Sequence, residues 1–269
     1  MGDRMDATAI REVLATRWLA RPLHYIPAVD STSTTLQEMA ATGAPAGTMV
    51  ITDYQRKGRG RLNRRWEAPA GSSLLLSLLL RPGWKAEQAP WLTMVAGLAA
   101  VQAVEAQTAL AAGLKWPNDV MLQSDAGWRK TGGLLLETEV EDGRLRQAIL
   151  GVGLNVNIPA RQLPEATTPA ISLLVASGRP LPRLPLLVAF LRRLEALYEA
   201  AAAGESPQPA WNERLIMRDQ LVRVDLGDAV LSGVAEGTDA YGRLLLRDDS
   251  GVLHTIAAGD VSLRGNLSR

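Results

Sequence analysis

The sequence predicts an α+β protein built on a mixed sheet, followed by a small β-barrel. Over residues 1–217, strand-like apolar runs are mixed with helical periodicities, and one strand pair is a hairpin about Asp142-Gly143, a strong turn signal. A hairpin among helices argues for α+β rather than a strictly alternating doubly wound sheet. After Arg218 the texture changes to short strands with turn signals at Leu226-Gly227-Asp228, Tyr241-Gly242 and Asp249-Ser250-Gly251, and four or five strands in about fifty residues suggest a barrel. Two domains are expected, 1–217 and 218–269.

The elements follow in order. Ile10, Val13, Leu14 and Trp18 recur at helical spacing and predict a short amphipathic first helix. A strand around His24 to Val29 runs into Asp30-Ser31-Thr32-Ser33, a cluster of N-capping side chains that opens a second helix reaching Met39. Thr48 to Tyr54 and Ser72 to Leu80 read as strands. Between them lies a Gly/Arg-rich stretch of about fifteen residues, and a segment that long without regular structure is usually functional or disordered. Glu87 to Ala112 is Ala-rich with a helical period, Leu114 to Trp116 resumes as strand, and Lys130 to Glu141 with Leu145 to Val156 form the hairpin. Pro159 to Pro185 carries six prolines and reads mostly as loop; Leu184 to Ala203 is an amphipathic helix ended by Gly204, and Trp211 to Met217 adds a further turn or two. No fixed-period repeat is present.

Composition removes several function classes. The 269 residues are 47% hydrophobic and 21% charged, too apolar for a disordered chain, and 29 Lys+Arg against 28 Asp+Glu leave no overall field toward nucleic acid or an anionic membrane. The chain has no Cys, which excludes disulfides, thiolate metal sites and Cys nucleophiles and suits a reducing cytoplasm. Its two histidines, His24 and His254, are too far apart in sequence to suggest a clustered metal site. The apolar stretch Leu92 to Leu114 is broken by Gln102, Glu105 and Gln107 and reads as core, and the sign-alternating N-terminus holds no apolar signal core.

The sharpest local signal is Arg56-Lys57-Gly58-Arg59-Gly60-Arg61-Leu62-Asn63-Arg64-Arg65-Trp66, with six cationic side chains in residues 56–65. Its glycines let backbone approach an anion, and its arginines offer forked donors for phosphate or carboxylate. An anionic ligand, a nucleic-acid contact and a plain solvated loop all fit this composition. Dinucleotide fingerprints fail by spacing, because Gly58-x-Gly60 is followed by Asn63 and Gly151-x-Gly153 by Val156 where glycine is required; neither a P-loop nor a Gly-x-Ser-x-Gly elbow occurs. Lys115-Trp116-Pro117-Asn118-Asp119 sets a cation, an aromatic, an amide and a carboxylate at a predicted strand end, where active sites are often built, although Pro-Asn-Asp is also an ordinary turn. Two glycines within the strand pattern Gly151 to Asn157 mark a bulge, a ligand against backbone, or simple packing.

Together these segments resemble the biotin protein ligase family: Asp30-Ser31-Thr32, Gln55, Gly58-Arg59-Gly60-Arg61 with Trp66, Lys115-Trp116-Pro117-Asn118-Asp119, Lys130 with Gly132-Gly133, and Gly151-x-Gly153-x-Asn155. Order and spacing match over residues 24 to about 175. Ile171-Ser172-Leu173-Leu174 with Gly178-Arg179-Pro180, and Gly259-Asp260-Val261-Ser262-Leu263-Arg264, resemble the family's connecting region and its small SH3-like C-terminal barrel. The resemblance implies the mixed-sheet catalytic domain of the biotin/lipoate ligase type and a two-step reaction. Biotin and MgATP give biotinyl-5′-AMP and pyrophosphate, and the acyl group then passes to a lysine of a biotin carboxyl carrier domain.

The resemblance also implies site residues. Attack of a carboxylate on an α-phosphate joins two anions, so the site must supply fixed positive charge. Lys115 is assigned that charge beside the biotin carboxylate and α-phosphate, and with Arg59 is the expected catalytic pair. Arg59 and Arg61, with Gly58 and Gly60, are expected to close over the bound anions, while Ser31, Thr32, Ser33 and Gln55 bind the ureido ring and Gly132 and Gly133 complete the biotin site. Trp66, Asn118, Lys130, Asn155 and Arg61 are the expected nucleotide contacts. No metal ligand is assigned: Asp119 is either a structural turn carboxylate or a group that helps hold Mg²⁺ through water.

Two substitutions distinguish this sequence from the usual family pattern: Ser33 stands in place of Asn, and Asp260 in place of Glu. Only about two dozen residues precede the core, so the resemblance implies the monofunctional type, without a winged-helix DNA-binding domain or a repressor role. The expected partners are biotin, ATP and a carrier domain, with no nucleic acid and no membrane, in a cytoplasmic setting; monomer and homodimer both stay open. Lipoate ligation on the same fold is the nearest rival, against which the Arg-Arg-x-Ser-Gly-Gly-Gly segment of lipoate ligases is absent. A nucleic-acid-binding module is the rival from another class, disfavoured by near-neutral charge and few Phe and Tyr residues.

Overall fold

The computed structural model describes residues 5–165 and 168–263. Its elements run α1 (Ala7–Val13), β1 (Leu23–Tyr25), β2 (Ala28–Val29), α2 (Thr32–Ala41), β3 (Met49–Thr52), β4 (Tyr54–Gln55), β5 (Ser73–Leu80), α3 (Ala89–Thr108), β6 (Ala112–Lys115) and β7 (Asp119–Ser124). They continue with β8 (Gly127–Glu141), β9 (Arg144–Asn155), α4 (Leu173–Ser177), α5 (Arg183–Ala202), α6 (Gln208–Arg214), β10 (Gln220–Asp225), β11 (Val230–Thr238), β12 (Leu244–Arg247), β13 (Leu253–Ile256) and β14 (Asp260–Leu263).

Seven strands form one mixed sheet in the order β1-β3-β5-β9-β8-β7-β6, parallel at β1–β3 and antiparallel elsewhere. β5 explains the layering. Its sequence SLLLSLLL is buried throughout, as expected of a central strand covered on both faces. Leu74, Leu76, Leu78 and Leu80 alternate into the large core with α3 and α5, whereas Leu79 joins Leu36 and Ala40 of α2 on the opposite face. α3 lies so close to its neighbours that a Cβ at Gly97 would stand 2.8 Å from the Trp211 ring and 2.9 Å from Leu114. With the turn before it, this is the helix long and apolar enough to cross a membrane by composition; two-thirds of that window is buried in the fold, which makes it a core helix.

The C-terminal strands form a five-stranded antiparallel sheet in the order β13-β12-β11-β10-β14. Among the described residues its two end strands do not pair with each other, so a closed barrel is not formed by strand pairing. The sheet is fixed to the rest of the chain. Trp91 and Trp116 donate their indole N–H groups to the carbonyls of Ala240 (2.7 Å) and Gly242 (2.9 Å), and Val222, Val224, Leu244 and Leu246 join the main core.

Four details differ from the sequence reading. α1 ends at Val13, and Trp18 lies beyond it, because the buried Glu195 carboxylate collects the backbone N–H groups of Arg17, Trp18 and Leu19 at 2.9–3.0 Å and holds them in a non-helical turn. Asp119 opens a strand, β7, where only a turn was expected. The proline-rich connection contains α4, capped by Ser172 through Val175 N–H at 3.1 Å. The Gly/Arg-rich stretch has internal order, taken up below.

Candidate active site

Register alone assembles a line of residues across one face of the large sheet. Leu75 of β5 lies opposite Gly153 of β9, Gly153 opposite Gly133 of β8, Gly133 opposite Asp119 of β7, and Asp119 opposite Lys115 of β6. Directly opposed residues share a face, so two bare glycines lead to a carboxylate and then an ammonium, over about 14 Å for three strand spacings. Two residues along the strands, Ser77 faces Gly151 and Gly151 faces Leu135. The N-terminus of α2 covers the Ser77 end of this face, and residues 56–66 cover the glycines.

The α2 end is neutral and rich in hydroxyls. Thr32 donates both its backbone N–H (2.8 Å) and its hydroxyl (3.1 Å) to Gln55 Oε1. A hydroxyl has one proton, so Ser77, 2.8 Å away, must donate to Thr32, and Ser33, 3.0 Å from Ser77, must donate to Ser77. The chain Ser33→Ser77→Thr32→Gln55 fixes all four side chains. Ser31 stands at the N-cap position, buried, with its side chain making no capping bond to the helix.

The other end is charged. Lys115 is 8% exposed and donates to Thr168 Oγ1 at 2.9 Å. Lys130 Nζ lies 2.6 Å from Asp119 Oδ1 and 5.9 Å from the centroid of the Trp66 ring. Arg61 Nη1 reaches Asn118 Oδ1 (3.5 Å) and the Gly259 carbonyl (3.4 Å), and Asp260 stands between Arg61 and Arg64. Four cations therefore face two carboxylates, a formal excess of two positive charges. Burial pulls the Lys115 ammonium below the usual lysine range; Asp119 opposes the shift and Lys130 adds to it. Burial likewise lowers the Arg61 guanidinium, against the favourable charges of Asp260 and Asp119.

Residues 56–66 form a hook with its own hydrogen bonds rather than an irregular loop. Trp66 N–H donates to the Gly58 carbonyl (3.0 Å) and Gly60 N–H to the Arg64 carbonyl (2.7 Å), with a tight turn at Arg61–Asn63 in which Leu62 and Asn63 are left-handed at φ 54° and 58°. Gly58 is obligatory, because a Cβ there would meet the Trp66 carbonyl oxygen at 2.3 Å. Gly153 is obligatory for the Trp66 ring, which would stand 2.6 Å from a Cβ at that position and 3.1 Å from one at Gly133. Trp66 Nε1 is one of three buried side-chain donors or acceptors left without a partner among the described residues, a polar group aimed at no protein atom. A face that runs from neutral hydroxyls over a glycine floor to concentrated positive charge suits an elongated ligand with a neutral polar head and an anionic tail.

Comparison with known proteins agrees with this geometry. Residues 25–155 match the model of the biotin/lipoate A/B protein ligase family, and residues 219–264 match the biotin protein ligase C-terminal domain. The chain is 33% identical over 268 residues to the biotin–[acetyl-CoA-carboxylase] ligase of Mycobacterium tuberculosis, covering 96% of this chain and 95% of that one. The chain belongs to the biotin protein ligase family. It is also 33% identical to the bifunctional ligase/repressor BirA of Bacillus spizizenii, over 97% of this chain and 79% of that relative. The biotin protein ligase of Aquifex aeolicus, solved in complex with biotin and ATP, superposes with a TM-score of 0.73 at 29% identity, covering 89% and 97% of the two chains.

For this member of the family, most residues singled out from sequence converge. Thr32, Ser33 and Gln55 meet at one end, Lys115, Asn118, Asp119, Lys130 and Arg61 at the other, and Trp66 with Gly133 between them. Three sit differently. Gly132 points to the opposite face, where a Cβ would meet Leu154 at 2.3 Å, so it serves core packing. Asn155 is buried, its amide donating to the Ile171 carbonyl at 3.3 Å. Arg59 pairs with Glu137 at 2.6 Å, at the outer edge of the trough. Ser77, Glu137, Arg64 and Thr168 were not anticipated. The lone polar residue in LLLSLLL was a usable signal for Ser77; Thr168, in the proline-rich segment, carried none.

Proposed function

We propose that this chain is an ATP-dependent biotin protein ligase that activates biotin as biotinyl-5′-AMP and transfers it to a lysine of a biotin carboxyl carrier domain. One observation carries the reading: the row Gly153–Gly133–Asp119–Lys115, with hydroxyls at one end and excess positive charge at the other. Biotin has a matching shape, a neutral ureido head, an apolar body and a carboxylate tail. The hydroxyl chain with Gln55 and Ser31 would receive the ureido ring, and the body would lie against the Trp66 ring, which itself packs on Gly153 and Gly133.

In the first step a carboxylate oxygen attacks the α-phosphorus and pyrophosphate leaves. Lys115 and Lys130 lower the repulsion between the two anions, and their fixed placement avoids reorganisation as charge builds. Arg59 and Arg61 close over the product, with Trp66 and Asn118 on the nucleotide side, while the buried Asn155 holds the Ile171 backbone behind them. In the second step the neutral amine of the acceptor lysine attacks the acyl carbon and AMP leaves with the bonding pair. No residue of this chain becomes acylated.

Mg²⁺ enters with the ATP phosphates in this reading. The described residues contain no group of three His, Cys, Asp or Glu side chains that could cage a metal, and Asp119 is the residue that would reach it through water. Residues 1–217 act as the catalytic domain and 218–269 as a second domain, in the cytoplasm where ATP is supplied. Incubation with biotin, MgATP and a purified carrier domain, read by mass spectrometry, tests the transfer. The carrier should gain one biotinyl group, and an unmodified carrier would refute the proposal.

A further inference from the structure

Asp260 belongs to the C-terminal sheet, yet its carboxylate meets the arginine hook that closes the trough on the other sheet. It pairs with Arg64, and its Oδ1 stands 4.0 Å from Arg61 Nη1, which also donates to the neighbouring Gly259 carbonyl at 3.4 Å. Two arginines three positions apart thus share one carboxylate. The hook forces this arrangement, since the left-handed pair Leu62 and Asn63 and the Gly60–Arg64 hydrogen bond turn the chain back on itself. Without a carboxylate between them the two guanidiniums repel, and the aliphatic side chain of the turn, Leu62, is 67% exposed and offers little burial to resist. Asp260 itself cannot drift. It lies opposite Asp225 in the β10–β14 ladder, and its sheet is anchored through Trp91 and Trp116.

We infer that Asp260 is a positioning residue, a latch by which the C-terminal sheet holds the hook closed and sets how long an anionic intermediate stays in the trough. The other carboxylates on the hook, Asp30 on Lys57 (2.8 Å) and Glu137 on Arg59 (2.6 Å), come from the same half of the chain as the trough. Asp260 couples the two halves. The identity of the intermediate rests on the function proposed above; the latch does not.

The test uses the full chain and the variants Asp260→Asn, Asp260→Glu, Arg64→Asp and the exchange Arg64→Asp/Asp260→Arg. Tryptic cleavage within residues 56–65 is followed without ligands, and escape of biotinyl-5′-AMP is followed by gel filtration after the reaction. Asp260→Asn should raise both rates about fivefold, the upper scale of a partly exposed ion pair, with escape rising by more than adenylation turnover falls. Asp260→Glu should stay near wild type, and the exchange should recover protection lost in Arg64→Asp. Wild-type cleavage and escape in Asp260→Asn, or an exchange no better protected than Arg64→Asp, would overturn the latch. If wild type forms no adenylate while the cleavage pattern holds, the function falls and the latch stands.

Discussion

Gly153→Ala separates the floor of the trough from the fold that carries it. The added methyl would sit 2.6 and 2.7 Å from two atoms of the Trp66 ring, so the indole must retreat by about 1 Å to regain ordinary van der Waals distance. Overpacking of this kind costs about 1–3 kcal/mol. Gly153 is not in a left-handed conformation, and the three nearest atoms to the added methyl all belong to the Trp66 ring, so the strain falls on the hook, not on the β5–β9–β8 ladder. The energy should appear as a shift from closed to open hook. Thermal unfolding should change little, while biotinyl-5′-AMP should escape roughly tenfold faster, the factor that about 1.4 kcal/mol represents. Gly132→Ala is the control: its methyl would meet Leu154 at 2.3 Å and the Gly153 carbonyl at 2.9 Å inside the sheet, and that variant should lose stability outright. Adenylate retention at the wild-type rate in a folded Gly153→Ala protein would refute the reasoning.

Four further outcomes are expected. Lys115→Ala should fold and lose adenylation by about a hundredfold or more, the scale of one preorganised electrostatic group, and wild-type pyrophosphate release would exclude the assignment. Because burial depresses the Lys115 ammonium, its charge is lost as pH rises through a value below the ordinary ~10.4; the alkaline fall in adenylation should begin early and move upward in Lys115→Arg, an unmoved limb excluding Lys115 as its origin. Arg59→Gly should form adenylate yet release it faster, since the pairing with Glu137 at the mouth is gone; retention equal to wild type by gel filtration would count against closure. Burial alone would raise the Glu195 carboxyl, but the N–H groups of Arg17, Trp18 and Leu19 pull it below the usual range, so its stabilisation is present at neutral pH and lost as pH falls through the folded-state value. Glu195→Gln should cost about 1–3 kcal/mol at pH 7, with the gap to wild type closing as pH falls below the ordinary carboxyl range, and a gap independent of pH in denaturant titrations would refute it.

Much of the fold was legible because burial and period coincide. LLLSLLL read as a core strand, Asp142-Gly143 announced the hairpin, and the texture change after Arg218 marked the second sheet. Two of the misses share a cause, a local pattern settled in part by a distant partner. Trp18 kept the helical period of Ile10, but Glu195, 177 positions away, claims its backbone N–H. The hook looked structureless because it is ordered by glycines, left-handed turn residues and carboxylates remote in sequence. In the site, residue types pointed to the chemistry, while register decided the arrangement. Gly132 and Gly133 are adjacent and alike, yet one faces the core and the other the trough.

Pyrophosphate release with MgATP, before any carrier protein is added, tests the central claim most directly. Biotin, lipoate and no acid are compared on the same folded protein. Release that depends on biotin and not on lipoate is the predicted result. Release with lipoate alone would keep the fold and replace the substrate, and release with neither would contradict the reading of the trough as an acid-activating site.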